Sequence, residues 1–140
     1  MNIRPFENSD REAVIELWSR CGLIVSWNDP GKDIDRKLQV DPELFVIGEV
    51  ESNLVATAMG GYDGHRGSIF YLAVDTEHQG RGYGRNIVAH LANLLERRGC
   101  AKLNIMVRNS NHEMIEFYRR LGFKGDEVIC LGKRLIKDEL

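Results

Sequence analysis

The residues whose types and spacing could do chemistry concentrate in one run: Val74, Asp75, Thr76, Glu77, His78, Gln79, Gly80, Arg81, Gly82, Tyr83, Gly84 and Arg85. Glycines at alternate positions, Gly80, Gly82 and Gly84, let the backbone curl and approach a ligand with no Cβ in the way. An apolar run precedes this turn and an amphipathic pattern follows it, so a helix opens here with unbonded N–H groups and its positive dipole end. Arg81 and Arg85 add full charges. Such a turn suits an anion, and a ligand carrying phosphate is the first expectation.

Other reactive side chains are scattered. Asp63, His65 and Arg66 share a loop with Gly60, Gly61, Gly64 and Gly67, and loops of this kind often carry function. Cys21, Cys100 and Cys130 are odd in number and form no C-x-x-C pair, which suits reduced thiols used as small fillers. None of His65, His78, His90 or His112 stands at a ligand spacing, so no metal is expected.

The elements that must position these residues follow from hydrophobic periodicity. Residues 2–6 read as a short edge strand, limited by Pro5. Ser9 and Glu12 match a capping box, and Val14, Leu17, Trp18 and Cys21 recur at helical spacing up to Gly22. Residues 23–42 are weakly patterned, with a turn-rich 27–31 stretch and a short helix over about 33–40. Residues 44–50 and 54–60 form an antiparallel hairpin, and residues 68–74 a further strand leading into the glycine turn. After the turn, Ile87, Leu91, Leu94 and Leu95 make the buried stripe of a helix that Gly99 ends. Residues 102–107 alternate, which makes strand, helix and strand a βαβ unit with parallel strands. A last helix over 111–121 presents Met114, Phe117, Tyr118 and Leu121 on one face, and strands are expected over 123–125 and 128–134. The expectation is one mixed α/β domain over residues 1–140, with a central sheet of about six to seven strands flanked by helices.

Length and composition narrow the function. A chain of 140 residues with 43% hydrophobic and 29% charged residues fits one ordinary globular unit. A net charge of -2 without a basic block argues against nucleic acid as partner. No apolar run approaches the ~20 residues of a membrane span, and residues 1–5 lack a signal-peptide core, so neither a membrane nor secretion is expected. Residues 137–140 spell a luminal retention signal, which is read only on proteins that have entered the secretory lumen. The localisation expected is cytoplasmic.

Two common glycine motifs can be excluded. The dinucleotide fingerprint G-x-G-x-x-G would need glycine at Arg85, and the P-loop pattern G-x-x-x-x-G-K-[ST] is absent. What remains is Gln79-x-x-Gly82-x-Gly84 between a strand and a helix. With Val107-Arg108-x-x-Asn111 and Tyr118-x-x-x-Gly122-Phe123, this pattern resembles the GNAT superfamily of acyl-CoA-dependent N-acetyltransferases. The order of elements resembles that superfamily over nearly the whole chain, with residues 23–42 matching only in being variable.

The resemblance implies acetyl-CoA as co-substrate and direct attack of a primary amine on the thioester in a ternary complex. It implies that the backbone amides of Gln79, Gly80, Arg81, Gly82, Tyr83 and Gly84 hold the pyrophosphate, with Arg81 or Arg85 assisting. The pantetheine arm then runs beside Leu72 and Val74, where the two parallel strands splay apart. Asn111 matches a pantetheine-contacting position and is equally the N-cap of the last helix. Tyr118 matches the family's general acid for the departing thiolate, although it also lies on the apolar stripe. Resembling enzymes often carry a glutamate on the strand before the loop; residues 68–74 contain no acid, which leaves Glu49, Asp63, His65 or a water chain as base. Asp63 has turn formation as its alternative role. The partner expected is a small-molecule or peptide amine, with a homodimer left open. Two other readings are a non-catalytic acyl-CoA-binding regulatory module and an acetyltransferase acting on protein N-termini or lysines.

Overall fold

A computed structural model describes residues 1–138. Five strands and four α-helices follow one another as β1 (Asn2–Pro5), α1 (Arg11–Arg20), α2 (Pro30–Lys37), β2 (Phe45–Val50), β3 (Asn53–Tyr62), β4 (Gly67–Val74), α3 (Tyr83–Arg97), β5 (Leu103–Asn104) and α4 (His112–Arg120). The sheet keeps sequence order, β1-β2-β3-β4-β5. The first four strands are antiparallel neighbours, and β4 and β5 are parallel, as a strand-helix-strand crossover requires.

Each face of the sheet buries its own cluster. One packs Val46, Ala56, Ala58 and Ile69 against Ile87, Val88, Leu91 and Leu95 of α3 and Tyr118 of α4. The other packs Phe45, Ile47, Met59 and Ala73 against Val14, Leu17 and Trp18 of α1 and Ile34 of α2. Alternation along β2 and β3 accounts for the split, since successive side chains point to opposite faces. Trp18 is wholly buried, as its place on the α1 stripe predicts.

Local chemistry moves some boundaries. The reciprocal cap before α1 joins Glu7 and Asp10 rather than Ser9 and Glu12: Asp10 accepts from the Glu7 N–H at 2.8 Å and opens a 3-10 turn that runs into the helix. Helix α2 begins at Pro30, three residues before its expected start. Asp29 accepts from the Lys32 N–H at 3.1 Å, and proline suits the first helical position.

The sheet has fewer strands than the six to seven expected. Of residues 102–107 only Leu103–Asn104 pair, and residues 123–125 and 128–134 form no strand. A strand exists only through its ladder, and these β-prone residues find no ladder partner among the described residues. Val128, Ile129 and Leu131 are left 77%, 85% and 89% exposed. No helix among the described residues is long and apolar enough to cross a membrane. The retention-like residues 137–140 lie partly outside the described residues.

Candidate active site

The site is built where β4 leaves its neighbour. Pairing between β4 and β5 is confined to Gly67 with Leu103 and Ser68 with Asn104. Beyond these two pairs the ladder stops, and among the described residues the β5-facing edge of β4 from Ile69 to Val74 is unpaired. Leu72 and Val74 are partly buried on this stretch and pack on the α3 side.

Strand β4 is also bent. Thr57 pairs with Ala73 while Met59 pairs with Phe70, so β4 carries an extra residue and bulges. Tyr71 sits in the bulge at φ 51°, a left-handed conformation that costs an ordinary L-residue about 1–3 kcal/mol unless its surroundings hold it. Here they do. The indole N–H of Trp18 donates to Thr57 Oγ1 at 2.8 Å, and the Thr57 hydroxyl donates to the Tyr71 carbonyl at 3.0 Å. The Tyr71 ring stacks on Trp18 with centroids 3.9 Å apart, and its hydroxyl donates to Asp33 Oδ2 of α2 at 2.5 Å. Burial and then Asp33 push the Tyr71 phenol well above its ordinary pKa, so it stays a donor.

Neither Thr57 nor the Tyr71 bulge is foreseen from the sequence. The one available sign is a hydroxyl at Thr57 among the apolar residues of β3. Thr57→Val keeps the shape and strands both the Trp18 N–H and the Tyr71 carbonyl in a buried place. Unfolding in urea is expected to show a loss of about 2 kcal/mol, and steady-state kinetics a fall in kcat, as the bulge relaxes. Unchanged stability and turnover would remove Thr57 from this role.

Past Val74 the chain reverses through a 3-10 turn. Asp75 accepts from the Glu77 N–H at 3.2 Å and binds Arg20 of α1 at 3.0 Å. Gln79 then donates its side-chain amide to the Val74 carbonyl at 3.2 Å, tying the glycine turn to the strand end. Gly80 and Gly82 adopt φ 78° and 80°, and a Cβ on either would meet nothing within 4 Å. The glycines are therefore demanded by backbone conformation, and the space above them is open. Gly84 differs: its Cβ would lie 3.2 Å from Phe117 Cζ, so here glycine lets α4 approach α3.

The first helical bond of α3 runs from the Asn86 N–H to the Gly82 carbonyl at 3.0 Å. The N–H groups of Tyr83, Gly84 and Arg85 precede it and have no intrahelical acceptor. Arg81 and Arg85 are exposed and form no ion pair among the described residues. Open space, outward N–H groups, a helix dipole and two uncompensated guanidinium groups fit an anionic group such as a pyrophosphate. His78 Nδ1, just before the turn, is buried with no partner among the described residues. No group of histidine, cysteine or acidic residues suited to a metal occurs among the described residues.

Tyr118 lies behind this turn. Phe117 packs on Gly84, and the Tyr118 ring meets Phe117 and Phe123 edge to face at 5.1 and 5.4 Å. Burial pushes its phenol up to about 12, so it is protonated at neutral pH. Asn111 caps α4 by accepting from the Met114 N–H at 3.3 Å.

The two carboxylates suggested as bases are not brought to this place. Glu49 lies on β2, two strands from β4, with its carboxylate on Arg4, which also binds Asp10 at 2.8 Å. Asp63 sits in the β3–β4 turn, where it accepts from the His65 and Arg66 N–H groups, both at 2.7 Å. Those bonds hold its pKa below the ordinary carboxylate range and make it a turn former. The neighbouring Tyr62 hydroxyl reaches the Gly99 carbonyl at 3.2 Å, just past the C-terminal end of α3. Asp63 is thus a helix length, about 22 Å, from the glycine turn. The carboxylate that does reach β4 is Asp33 of α2, through the Tyr71 hydroxyl. Arg36 stands 3.6 Å from Asp33 and binds the buried Asp138 at 2.6 Å.

Comparison with known proteins bears on this arrangement. A family model described as the acetyltransferase (GNAT) family matches residues 11–123. An acetyltransferase of Yersinia enterocolitica is 50% identical over 139 residues, covering 99% of both chains. The ribosomal-protein-S18-alanine N-acetyltransferase of Escherichia coli superposes with a TM-score of 0.74 at 26% identity, over 88% of this chain and 77% of that one. Ard1 of Thermoplasma volcanium superposes with a TM-score of 0.79 at 24% identity, over 88% and 82%, which shows a common fold.

Proposed function

The chain belongs to the GNAT acetyltransferase family, and on that premise we propose that it moves an acetyl group from acetyl-CoA to a primary amine by direct attack in a ternary complex. The observation that carries this reading is the freed edge of β4 running into the glycine turn with its two unpaired arginines. Acetyl-CoA brings the acetyl group already activated as a thioester.

The N–H groups of Tyr83, Gly84 and Arg85 bind the pyrophosphate, with Arg81 and Arg85 alongside. The β4 edge beside Leu72 and Val74 offers backbone groups to the pantetheine arm, and Asn111 closes the far side. An N–H of the same edge, held in position by the Tyr71 bulge, stabilises negative charge on the thioester oxygen. The acceptor enters between α2 and β4. Phe70, 44% exposed, and Trp27, 48% exposed with Arg108 5.2 Å over its ring, are exposed aromatic rings available to an acceptor.

An alkylamine with a pKa near ~10.4 arrives mostly as ammonium and must lose a proton before it attacks. That first proton goes to solvent; Asp33, its carboxylate fixed by the Tyr71 hydroxyl, accepts the second proton, which the nitrogen sheds as it becomes an amide, and solvent protonates the released thiolate. Tyr118 donates a hydrogen bond to the departing sulfur. Complete transfer from a phenol at about 12 to a thiolate near ~8.5 is uphill, so Tyr118 stabilises the breaking C–S bond rather than surrendering its proton.

The 26% identity with an enzyme named as a ribosomal-protein-S18-alanine N-acetyltransferase favours a peptide amine as a second acceptor class. One assay separates the readings: thiol release from acetyl-CoA over a panel of small primary amines and a peptide pool, with mass spectrometry of the products. Release that rises at least about tenfold over acetyl-CoA alone with one acceptor class, and an acetylated product in that class, is expected. Tight acetyl-CoA binding without release on any amine would leave a non-catalytic acyl-CoA-binding module.

A further inference from the structure

Asp33 and Arg36 stand three residues apart on α2, a spacing at which a carboxylate and a guanidinium meet on one helix face. They do not close. Arg36 Nη1 stays 3.6 Å from Asp33 Oδ1, beyond hydrogen-bond length, because both ends of its fork are held elsewhere. Nη1 donates to Asp138 Oδ2 at 2.6 Å and Nη2 to Asp138 Oδ1 at 2.8 Å, a bidentate pair. Asp138 lies 102 residues further along the chain, and its side chain is fully buried. A buried carboxylate needs a cation, and here the cation is the one that would otherwise sit on Asp33.

We propose that Asp138 is a positioning residue for acetyl transfer: by holding the Arg36 guanidinium, it keeps a positive charge off Asp33 and leaves that carboxylate able to accept a proton. The inference rests on the reading of Asp33 as the base. Asp33 presents its two oxygens to different neighbours, Oδ2 to the Tyr71 hydroxyl at 2.5 Å and Oδ1 toward Arg36. A guanidinium closing on Oδ1 would take the one oxygen not bonded to Tyr71. An opposite charge at such range lowers a carboxylate's pKa by about 1–3, which weakens the base at the step where the nitrogen sheds its second proton. The other charges nearby do not replace Asp138. Asp29 ahead of α2 accepts from the Lys32 N–H at 3.1 Å, and Lys32 Nζ is itself 4.0 Å from Asp138. Arg134 donates to Asn28 at 3.0 Å, and Arg11 of α1 is paired with Asp35 at 2.7 Å.

Carboxyl-carbon NMR of the full chain tests this without turnover, the Asp33 signal being assigned by its loss in Asp33→Asn. In Asp138→Asn the Asp33 titration is expected to move down by about one pH unit, and adding Arg36→Gln is expected to bring it back. Kinetics use acetyl-CoA with the best acceptor of the amine and peptide panel. Asp138→Asn is expected to lower kcat about tenfold with the KM for acetyl-CoA within about twofold, and to move the acid limb of the pH profile down in step with the titration; the double variant recovers kcat. A purely structural anchor predicts no recovery, because the double variant lacks the same contact. Far-UV circular dichroism of each variant checks that the fold is retained. An Asp33 titration unmoved in Asp138→Asn, or a double variant no faster than the single one, would overturn the proposal. Unchanged kcat in Asp33→Asn would instead overturn the base assignment, and the positioning role with it, even where the titration moves.

Discussion

Gly82→Val is expected to lower acetyl-CoA affinity by at least about a hundredfold in calorimetry, in a protein that still folds. Gly82 is the N-cap of α3 at φ 80°, where an L-residue is disfavoured by about 1–2 kcal/mol and a β-branched one by more. Relief comes by rotating the backbone toward extended values, which re-aims the N–H groups of Tyr83, Gly84 and Arg85 that the anion needs. The new side chain also projects into the open space above the turn, where nothing stands within 4 Å to contain it. Strain alone cannot produce this result. Gly99, at φ 88° with equal room, lies past the other end of α3, so Gly99→Ala is expected to cost stability and leave acetyl-CoA affinity within about twofold. Undiminished binding in Gly82→Val would remove the turn from the cofactor site.

Tyr118→Phe is the second large effect. A roughly hundredfold fall in kcat is expected, with the KM for acetyl-CoA nearly unchanged, because the hydroxyl acts only as the C–S bond breaks. The phenol has no hydrogen bond among the described residues, so its removal leaves no stranded partner, and the ring contacts with Phe117 and Phe123 survive. A structural role alone would leave kcat intact. The same variant has a signature in alkaline stability. Tyr118 titrates near about 12 folded against about 10 unfolded, so above pH 10 the unfolded chain binds fewer protons than the native one. The contribution is present in full below pH 10 and is lost as pH rises through about 12, amounting to about 3 kcal/mol. Tyr118→Phe removes that part of the alkaline loss, and Tyr71, raised in the same direction, retains its own.

Glu49 and Asp63 illustrate where reading the chain stops. As residue types both are plausible bases. Arg4 and two backbone N–H groups occupy them, and neither occupation is visible in spacing. Asp33 is the converse case. It belongs to a weakly patterned stretch, and only the packing of α2 on the sheet brings it to Tyr71 over a sequence separation of 38. Residues 128–134 fail for a related reason. Their types suit a strand, yet a strand is made by its ladder, and none forms there among the described residues.

What the sequence determined by itself is local. The Gly80–Gly82 conformation, the α3 N-terminus, the Asn111 cap and the parallel strand–helix–strand unit all follow from side-chain and backbone preferences acting within a few residues. Only the tertiary structure decided the rest: the early end of the ladder between β4 and β5, the left-handed Tyr71 held through Thr57 and Trp18, and the choice of Asp33 among the carboxylates. These depend on which distant groups meet. A buried hydrogen bond or a missing ladder partner acts through space, and its strength is set by the surroundings that folding assembles.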